Sequence, residues 1–110
     1  MAWKIFLYET NRGKKPIEEF IKSQNPPSIA KISHTIDLLE RYGSFLSMPH
    51  SKKLVSSLYE LRIRGKQEIR ILYTFLRRDI YLLHAFKKQT QKTPQKEINI
   101  GLNRLKRLTK

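Results

Sequence analysis

The chain has 110 residues, enough for one domain with a modest core, and its 23 Lys and Arg against nine Asp and Glu give a net charge of +14. The absence of cysteine excludes disulfides and thiolate metal sites and suits a reducing cytoplasm. No apolar run approaches the roughly 18 residues of a membrane span, so we expect a soluble cytoplasmic protein with no membrane partner.

The positive charge is concentrated in the second half of the chain. Residues 1–50 carry seven basic and five acidic side chains, whereas residues 51–110 carry sixteen and four. Like charges repel, so this surplus indicates an anionic partner, and nucleic acid is the commonest one. The first half is therefore interpreted as scaffold and the second half as the working surface.

The first half predicts a strand followed by two helices. Residues 2–9 are rich in aromatic and β-branched types, which is typical of a strand. Pro16 is suited to a first helical position, and Asn25 can cap a second helix that ends at Gly43. These helices form a hairpin whose apolar face is suited to covering a sheet. Residues 44–56 are predicted to be a loop.

The second half predicts three strands, over residues 58–64, 68–76 and 80–88, and a final helix. Apolar residues alternate with other types in each strand, so one face of the sheet is predicted to be apolar. The opposite face carries these cationic and apolar side chains: Arg62, Arg64, Arg70, Leu72, Leu82, His84, Phe86 and Lys88. The final helix has Thr93 as its cap, Pro94 as its first residue, a stripe from Ile98 to Leu108, and Arg104 on its polar sides. The order β-α-α-β-β-β-α predicts a small α+β domain spanning residues 1–110, with a mainly antiparallel sheet.

The strand residues are similar to those of a known family. Leu58-Tyr-Glu-Leu-Arg62, Arg70-Ile-Leu-Tyr73, His84-Ala-Phe-Lys-Lys88 and Thr93-Pro94 together resemble the HigB-like, phage-associated branch of the RelE/ParE toxin superfamily. The resemblance covers nearly the whole chain. It implies a RelE-like fold and a toxin of a type II toxin–antitoxin pair. Its partners would be a cognate antitoxin, expected to be a small helix-turn-helix protein, and mRNA on the ribosome. Relatives of the RelE and HigB type cleave mRNA there without a metal.

The chain departs from the RelE pattern at two positions. RelE-type enzymes use a tyrosine a few residues after the last strand, whereas no tyrosine follows Tyr81 here. Glu60 stands where RelE itself carries a lysine. Any proton-donating role of the missing tyrosine must therefore be absent or belong to another residue.

Four residues are candidates for catalysis. Metal-free cleavage requires a base near the 2′-oxygen, cations on the crowded phosphate and an acid for the departing 5′-oxygen. The resemblance places Arg70 at a catalytic arginine and Arg62 at a catalytic lysine position, and guanidinium groups match phosphate bidentately. His84 among cations is suited to act as a neutral base, and Lys88 follows on the same face. The alternatives are phosphate positioning or sheet-edge salt bridges for the arginines, packing for His84, and a solvated strand end for Lys88.

Further residues are candidates for RNA binding through charge or stacking. Phe86 is able to stack on a base, although core or partner packing explains it equally well. The remaining candidates are cationic: Lys52, Lys53, Arg64, Lys87 and Lys92. His34 and His50 have no charged constellation around them in the sequence and are interpreted as surface residues.

No metal or other cofactor is expected, because Glu60, Glu68 and Asp79 do not form a spaced ligand set and no phosphate-cradling glycine loop is present. The leading hypothesis is a ribosome-dependent mRNA endonuclease that inhibits translation. One alternative is a ParE-like toxin that inhibits DNA gyrase without enzymatic activity. The other is a plain nucleic-acid-binding module, which explains the charge but not the ordered motifs.

Overall fold

The computed structural model describes residues 2–109 and contains five strands, three α-helices and a short 3-10 helix at Gly43–Phe45. The elements are β1 (Lys4–Leu7), α1 (Pro16–Lys22), α2 (Pro26–Tyr42), β2 (Ser51–Val55), β3 (Leu58–Ile63), β4 (Glu68–Leu76), β5 (Asp79–Lys88) and α3 (Gln95–Leu108). All strands join one sheet in the order β1-β5-β4-β3-β2. The β1–β5 pair is parallel and the other pairs are antiparallel. The predicted α+β class is confirmed. None of the helices in residues 2–109 has the length and apolarity needed to cross a membrane.

The sequence predicts the helical hairpin closely because local chemistry defines its ends. Pro16 begins α1, and the Asn25 side chain accepts a hydrogen bond of 2.9 Å from the Ser28 backbone N–H at the start of α2. Gly43 ends α2 with a φ of 51°. A Cβ at Gly43 would lie 1.9 Å from Nε1 of Trp3. Both the backbone angle and the close approach of Trp3 therefore require glycine at this position.

At the edges of the sheet, the first predicted strand is present but shorter, and the loop predicted for residues 44–56 contains a strand. β1 occupies Lys4–Leu7 rather than residues 2–9, and Ser51–Val55, predicted as part of a loop, forms the edge strand β2. β2 carries two exposed lysines and has little apolar alternation, so pairing with β3 defines it. The Ser51 hydroxyl lies 2.5 Å from the Tyr73 hydroxyl, and burial raises the pKa of Tyr73 to about 12.

Helices cover both faces of the sheet, whereas the sequence predicted one free polar face. α2 lies over the face of Ile63, and α3 packs on the opposite face through the buried Gly101. A Cβ at Gly101 would lie 3.0 Å from Cδ1 of Leu72 and 3.3 Å from Cδ1 of Leu58, so the helix approaches the sheet closely. Residues expected to be exposed beside the cations are therefore buried: Leu72, Leu82 and Phe86.

A bulge in β5 breaks the predicted alternation of that strand. His84 is opposite Leu72, but Leu82 is opposite Tyr73, so β5 contains one extra residue, Leu83, at this point. Leu82 consequently shares the face of Tyr73 and not that of His84, which corrects the predicted assignment. Strict period-2 reasoning fails beyond a bulge because the extra residue moves every later side chain to the other face.

Candidate nucleic-acid interface

The predicted site residues on β3, β4 and β5 do share one face of the sheet. Directly opposite residues form three rows across these strands: Glu60–Leu72–His84, Arg62–Arg70–Phe86 and Glu68–Lys88. Such opposite side chains are close enough to interact. We call Glu60, Arg62, Glu68 and Arg70 the carboxylate–guanidinium cluster.

Arg70 is enclosed within this cluster. Only 2% of the residue is exposed, although the sequence predicted an open cationic face. Its terminal nitrogen Nη2 lies 2.7 Å from Oε1 of Glu68, and its Nε lies 3.6 Å from Oε1 of Glu60. Burying a guanidinium requires such partners, since an unpaired buried charge is costly. Arg70 therefore holds two carboxylates in place.

Glu60 is the second buried member of the cluster and joins three segments of the chain. It accepts a hydrogen bond of 3.2 Å from Nε of Arg62 through Oε1. Its other oxygen accepts a hydrogen bond from the hydroxyl of Thr93. The prediction that Thr93 caps α3 was wrong, because Pro94 occupies the cap position, α3 begins at Gln95 and the Thr93 side chain turns to Glu60.

The accessible part of the cluster lies toward the β3–β4 turn. The side chains of Arg62 and Glu68 are 14% and 39% exposed, and Arg64 is exposed just beyond β3. A hydrogen bond from Arg70 lowers the pKa of Glu68, with help from the charges of Arg64 and Lys88. Arg64 and Lys88 therefore lie around one carboxylate that stays ionised near the β3–β4 turn.

His84 is held between the sheet and α3. Its Nε2 lies 2.7 Å from Oε1 of Glu97, and its Nδ1 lies 3.5 Å from Nη1 of Arg104. Since a guanidinium only donates, Nδ1 is the acceptor and Nε2 donates to Glu97. Burial lowers the pKa of His84, and the Glu97 hydrogen bond offsets part of that effect. His84 is consequently neutral near pH 7.

Sequence reasoning missed Glu97 and Arg104 as site residues. Arg104 was predicted on the polar sides of the last helix, but its Nη1 donates to the Leu83 carbonyl at 2.8 Å and its guanidinium lies 5.3 Å from the Tyr8 ring centroid. The signal in the sequence is Gly101, which stands four residues after Glu97 and three before Arg104. Residues at these spacings share one face of a helix, and a glycine there indicates close packing.

The predicted RNA-binding residues divide into an exposed and a buried set. Phe86 is buried and stacks on His84 at a centroid distance of 5.4 Å, so in this structure it packs internally. Lys88 is half-buried. The exposed candidates are Lys52, Lys53, Arg64, Lys87 and Lys92. Within residues 2–109, no group of three or more His, Cys, Asp or Glu side chains is arranged to hold a metal ion.

Comparisons with known proteins identify a family whose model matches the chain and a solved structure that shares its fold. The model of the family described as "Phage derived protein Gp49-like (DUF891)" matches residues 19–106. No curated protein sequence shows significant similarity to the chain. Among solved structures, a chain of the YoeB-YefM complex from Staphylococcus aureus matches with a TM-score of 0.54 and 19% identity, over 82% of this chain and 100% of that one. At this identity the structural match establishes a shared fold.

Proposed function

Since the chain belongs to the phage-derived Gp49-like family, we propose that it is the toxin of a type II toxin–antitoxin pair and acts by cleaving mRNA without a metal. The shared fold with a chain of the YoeB-YefM complex supports the toxin assignment. The resemblance to the HigB-like branch of the RelE/ParE superfamily supports mRNA as the substrate and the ribosome as the place of cleavage.

The observation that carries this proposal is that guanidinium, carboxylate, imidazole and ammonium groups share one face of three adjacent strands. In metal-free cleavage the 2′-oxygen bonds to phosphorus while the bond from phosphorus to the 5′-oxygen breaks. A base takes the 2′-hydroxyl proton, the 5′-oxygen gains one, and cations balance the negative charge that develops on the phosphate.

Arg62 and Lys88 are the two predicted catalytic cations that reach the surface of this face. Both are proposed to contact the scissile phosphate, where a guanidinium gives bidentate contacts and an ammonium a point charge. His84 is proposed to accept the proton at Nδ1, where the substrate hydroxyl replaces the 3.5 Å contact with Arg104, since burial keeps the imidazole neutral and Glu97 occupies Nε2.

Arg70 is proposed to act through its neighbours. Its guanidinium is enclosed and binds Glu60 and Glu68, so it sets the positions of the carboxylates around Arg62. This makes Arg70 a positioning residue. Replacing Arg70 should lower the maximal cleavage rate, and Arg70→Lys should restore part of that rate if one cation between the two carboxylates is what positions Arg62.

The proposal is tested by mRNA cleavage on programmed ribosomes in the presence of a chelator. Arg62→Ala and Lys88→Ala should each lower the cleavage rate by roughly 10²-fold, the size expected when one transition-state donor is removed. Lys14→Ala, which removes the same charge from an exposed turn, should leave the rate unchanged. Cleavage that stops with chelator, or two variants that cleave like the wild type, would contradict it, and gyrase inhibition without cleavage would favour the ParE-like alternative.

A further inference from the structure

A cavity of about 390 Å³ lies between α2, the segment before β2 and the end of β3. Five of its nine lining residues are basic or imidazole side chains, Lys31, His34, His50, Arg62 and Arg64, and none of the nine is acidic. Nothing in the sequence connects His34 with His50. The fold brings them together at the basic edge of the sheet.

Three separate features of the fold build this cavity. Lys31 and His34 are three residues apart on α2, so they lie on the same face of that helix. The Arg62 backbone N–H donates a hydrogen bond of 2.8 Å to the His50 carbonyl and so fixes the segment before β2 against β3. A Cβ at Gly65 would lie 2.8 Å from Nζ of Lys31, so the ammonium reaches the β3–β4 turn.

The cavity is lined by apolar as well as cationic side chains. The lining includes Ile63, which is 2% exposed, together with Ala30 and Pro49. The volume falls in the range of roughly 300–1,000 Å³ that small-molecule sites occupy. A ligand that fits has a flat apolar part and a negative charge. A nucleoside phosphate has both in one compact unit, with the charge next to the flat base.

Arg62 connects the cavity to the carboxylate–guanidinium cluster. It lines the cavity, its Nε donates to Glu60 at 3.2 Å, and its Nη1 donates to the sulfur of Met48 at 3.6 Å. Arg62 is therefore shared by the cavity and the cluster, so a phosphodiester strand held at Arg62 lies beside the cavity.

We propose that this cavity binds one nucleotide of the RNA, next to the phosphate held by Arg62. The base rests on Ile63, Ala30 and Pro49, and its phosphate faces Lys31 and Arg64. This inference rests on the proposed function, because it assigns part of the RNA to a second site.

The test is a titration of the free protein with nucleoside 5′-monophosphates, followed by backbone amide NMR shifts. The shifts should map to residues 30–35, to His50 and to residues 62–65. Each monophosphate should bind at least tenfold more tightly than its nucleoside and at least tenfold more tightly than inorganic phosphate. Equal binding of phosphate, shifts elsewhere on the surface, or tighter binding of an acidic peptide at the same residues would overturn the proposal.

A matched pair of double variants separates the cavity from diffuse charge. Lys31→Ala with Arg64→Ala should weaken monophosphate binding at least tenfold, and Lys14→Ala with Lys96→Ala should change it less than twofold; all four side chains are exposed. Equal losses of monophosphate affinity in the two double variants would contradict a defined site. Because no cleavage takes place in this assay, absent binding in an RNA-cleaving protein refutes the cavity alone. Specific binding in a protein that does not cleave RNA refutes the proposed function alone.

Discussion

Nε2 of His84 lies 2.7 Å from Oε1 of Glu97, and this contact joins the central sheet to the last helix. Both side chains are mostly enclosed, with exposures of 14% and 15%. A carboxylate at this distance fixes which ring nitrogen carries the proton, which leaves Nδ1 as the acceptor. The proposed proton-accepting atom of the site therefore depends on a residue of α3.

Glu97→Gln should lower the pKa of His84 further below its ordinary value. Burial already lowers this pKa, and the Glu97 carboxylate opposes burial by favouring the imidazolium. The change is measured by NMR titration of the His84 ring proton, with Glu19→Gln as a control on an exposed carboxylate. A His84 pKa that rises in Glu97→Gln would refute the assigned role of Glu97.

The lowered pKa of His84 makes the stability of the fold depend on pH. His84 is protonated less readily in the folded chain than in the unfolded chain. Well above pH 6.5 the imidazole is neutral in both states, so it adds no pH dependence to stability there. As the pH falls below about 6.5, the unfolded chain gains the proton first and the free energy of unfolding decreases until the folded pKa is passed. His84→Gln should remove that part of the decrease in chemical denaturation measured between pH 7 and pH 5.

Arg70→Met should destabilise the fold by about 3–5 kcal/mol, because it leaves the carboxylate of Glu60 buried with one fewer cation. The double variant Glu60→Gln with Arg70→Met should recover much of that loss, since both buried charges are then gone. Urea unfolding measures both, and Arg64→Met is the control at an exposed arginine. A single variant that loses less than about 1 kcal/mol would show that the pair is not a structural element.

Gly43→Ala should destabilise the fold by about 2 kcal/mol or more, because the added Cβ overlaps Trp3 and the backbone angle disfavours side chains. Gly13→Ala is the matched control. Gly13 also has a positive φ, of 83°, but its nearest neighbour, Oε2 of Glu9, would lie 3.8 Å from the Cβ. Thermal unfolding should show the smaller loss at Gly13, and equal losses would mean that overlap with Trp3 costs nothing.

An antitoxin that occludes the proposed site should protect the exposed segments 64–67 and 89–92 from hydrogen exchange. The amides of β4 are not informative, because this central strand is already hydrogen-bonded on both sides and mostly buried. Protection confined to the helices of residues 16–42 would instead indicate that the antitoxin blocks ribosome entry from a remote surface.

The sequence predicts the elements whose ends are determined locally, as Pro16, Asn25 and Gly43 show. Its period-2 pattern also places Arg62, Arg70, His84 and Lys88 on one face, as the strand register confirms. Edge strand β2 was not predicted, since its lysine-rich residues gain their conformation from the partner strand.

Burial of the site could not be predicted from strand patterns, because it depends on where α3 packs. The polar residues Glu97 and Arg104 face the sheet only because Gly101 allows the helix to approach Leu72. The number of charged residues likewise does not reveal which of them form ion pairs. Arg70 contributes to the net charge of +14 but is enclosed by two carboxylates.

The central claim is that this face cleaves RNA by attack of the 2′-hydroxyl with no metal. The most direct test is the chemistry of the ends produced when the wild-type protein cuts ribosome-bound mRNA in chelator. The account predicts a 2′,3′-cyclic phosphate on the upstream fragment and a free 5′-hydroxyl on the downstream fragment. A 3′-hydroxyl with a 5′-phosphate would contradict it.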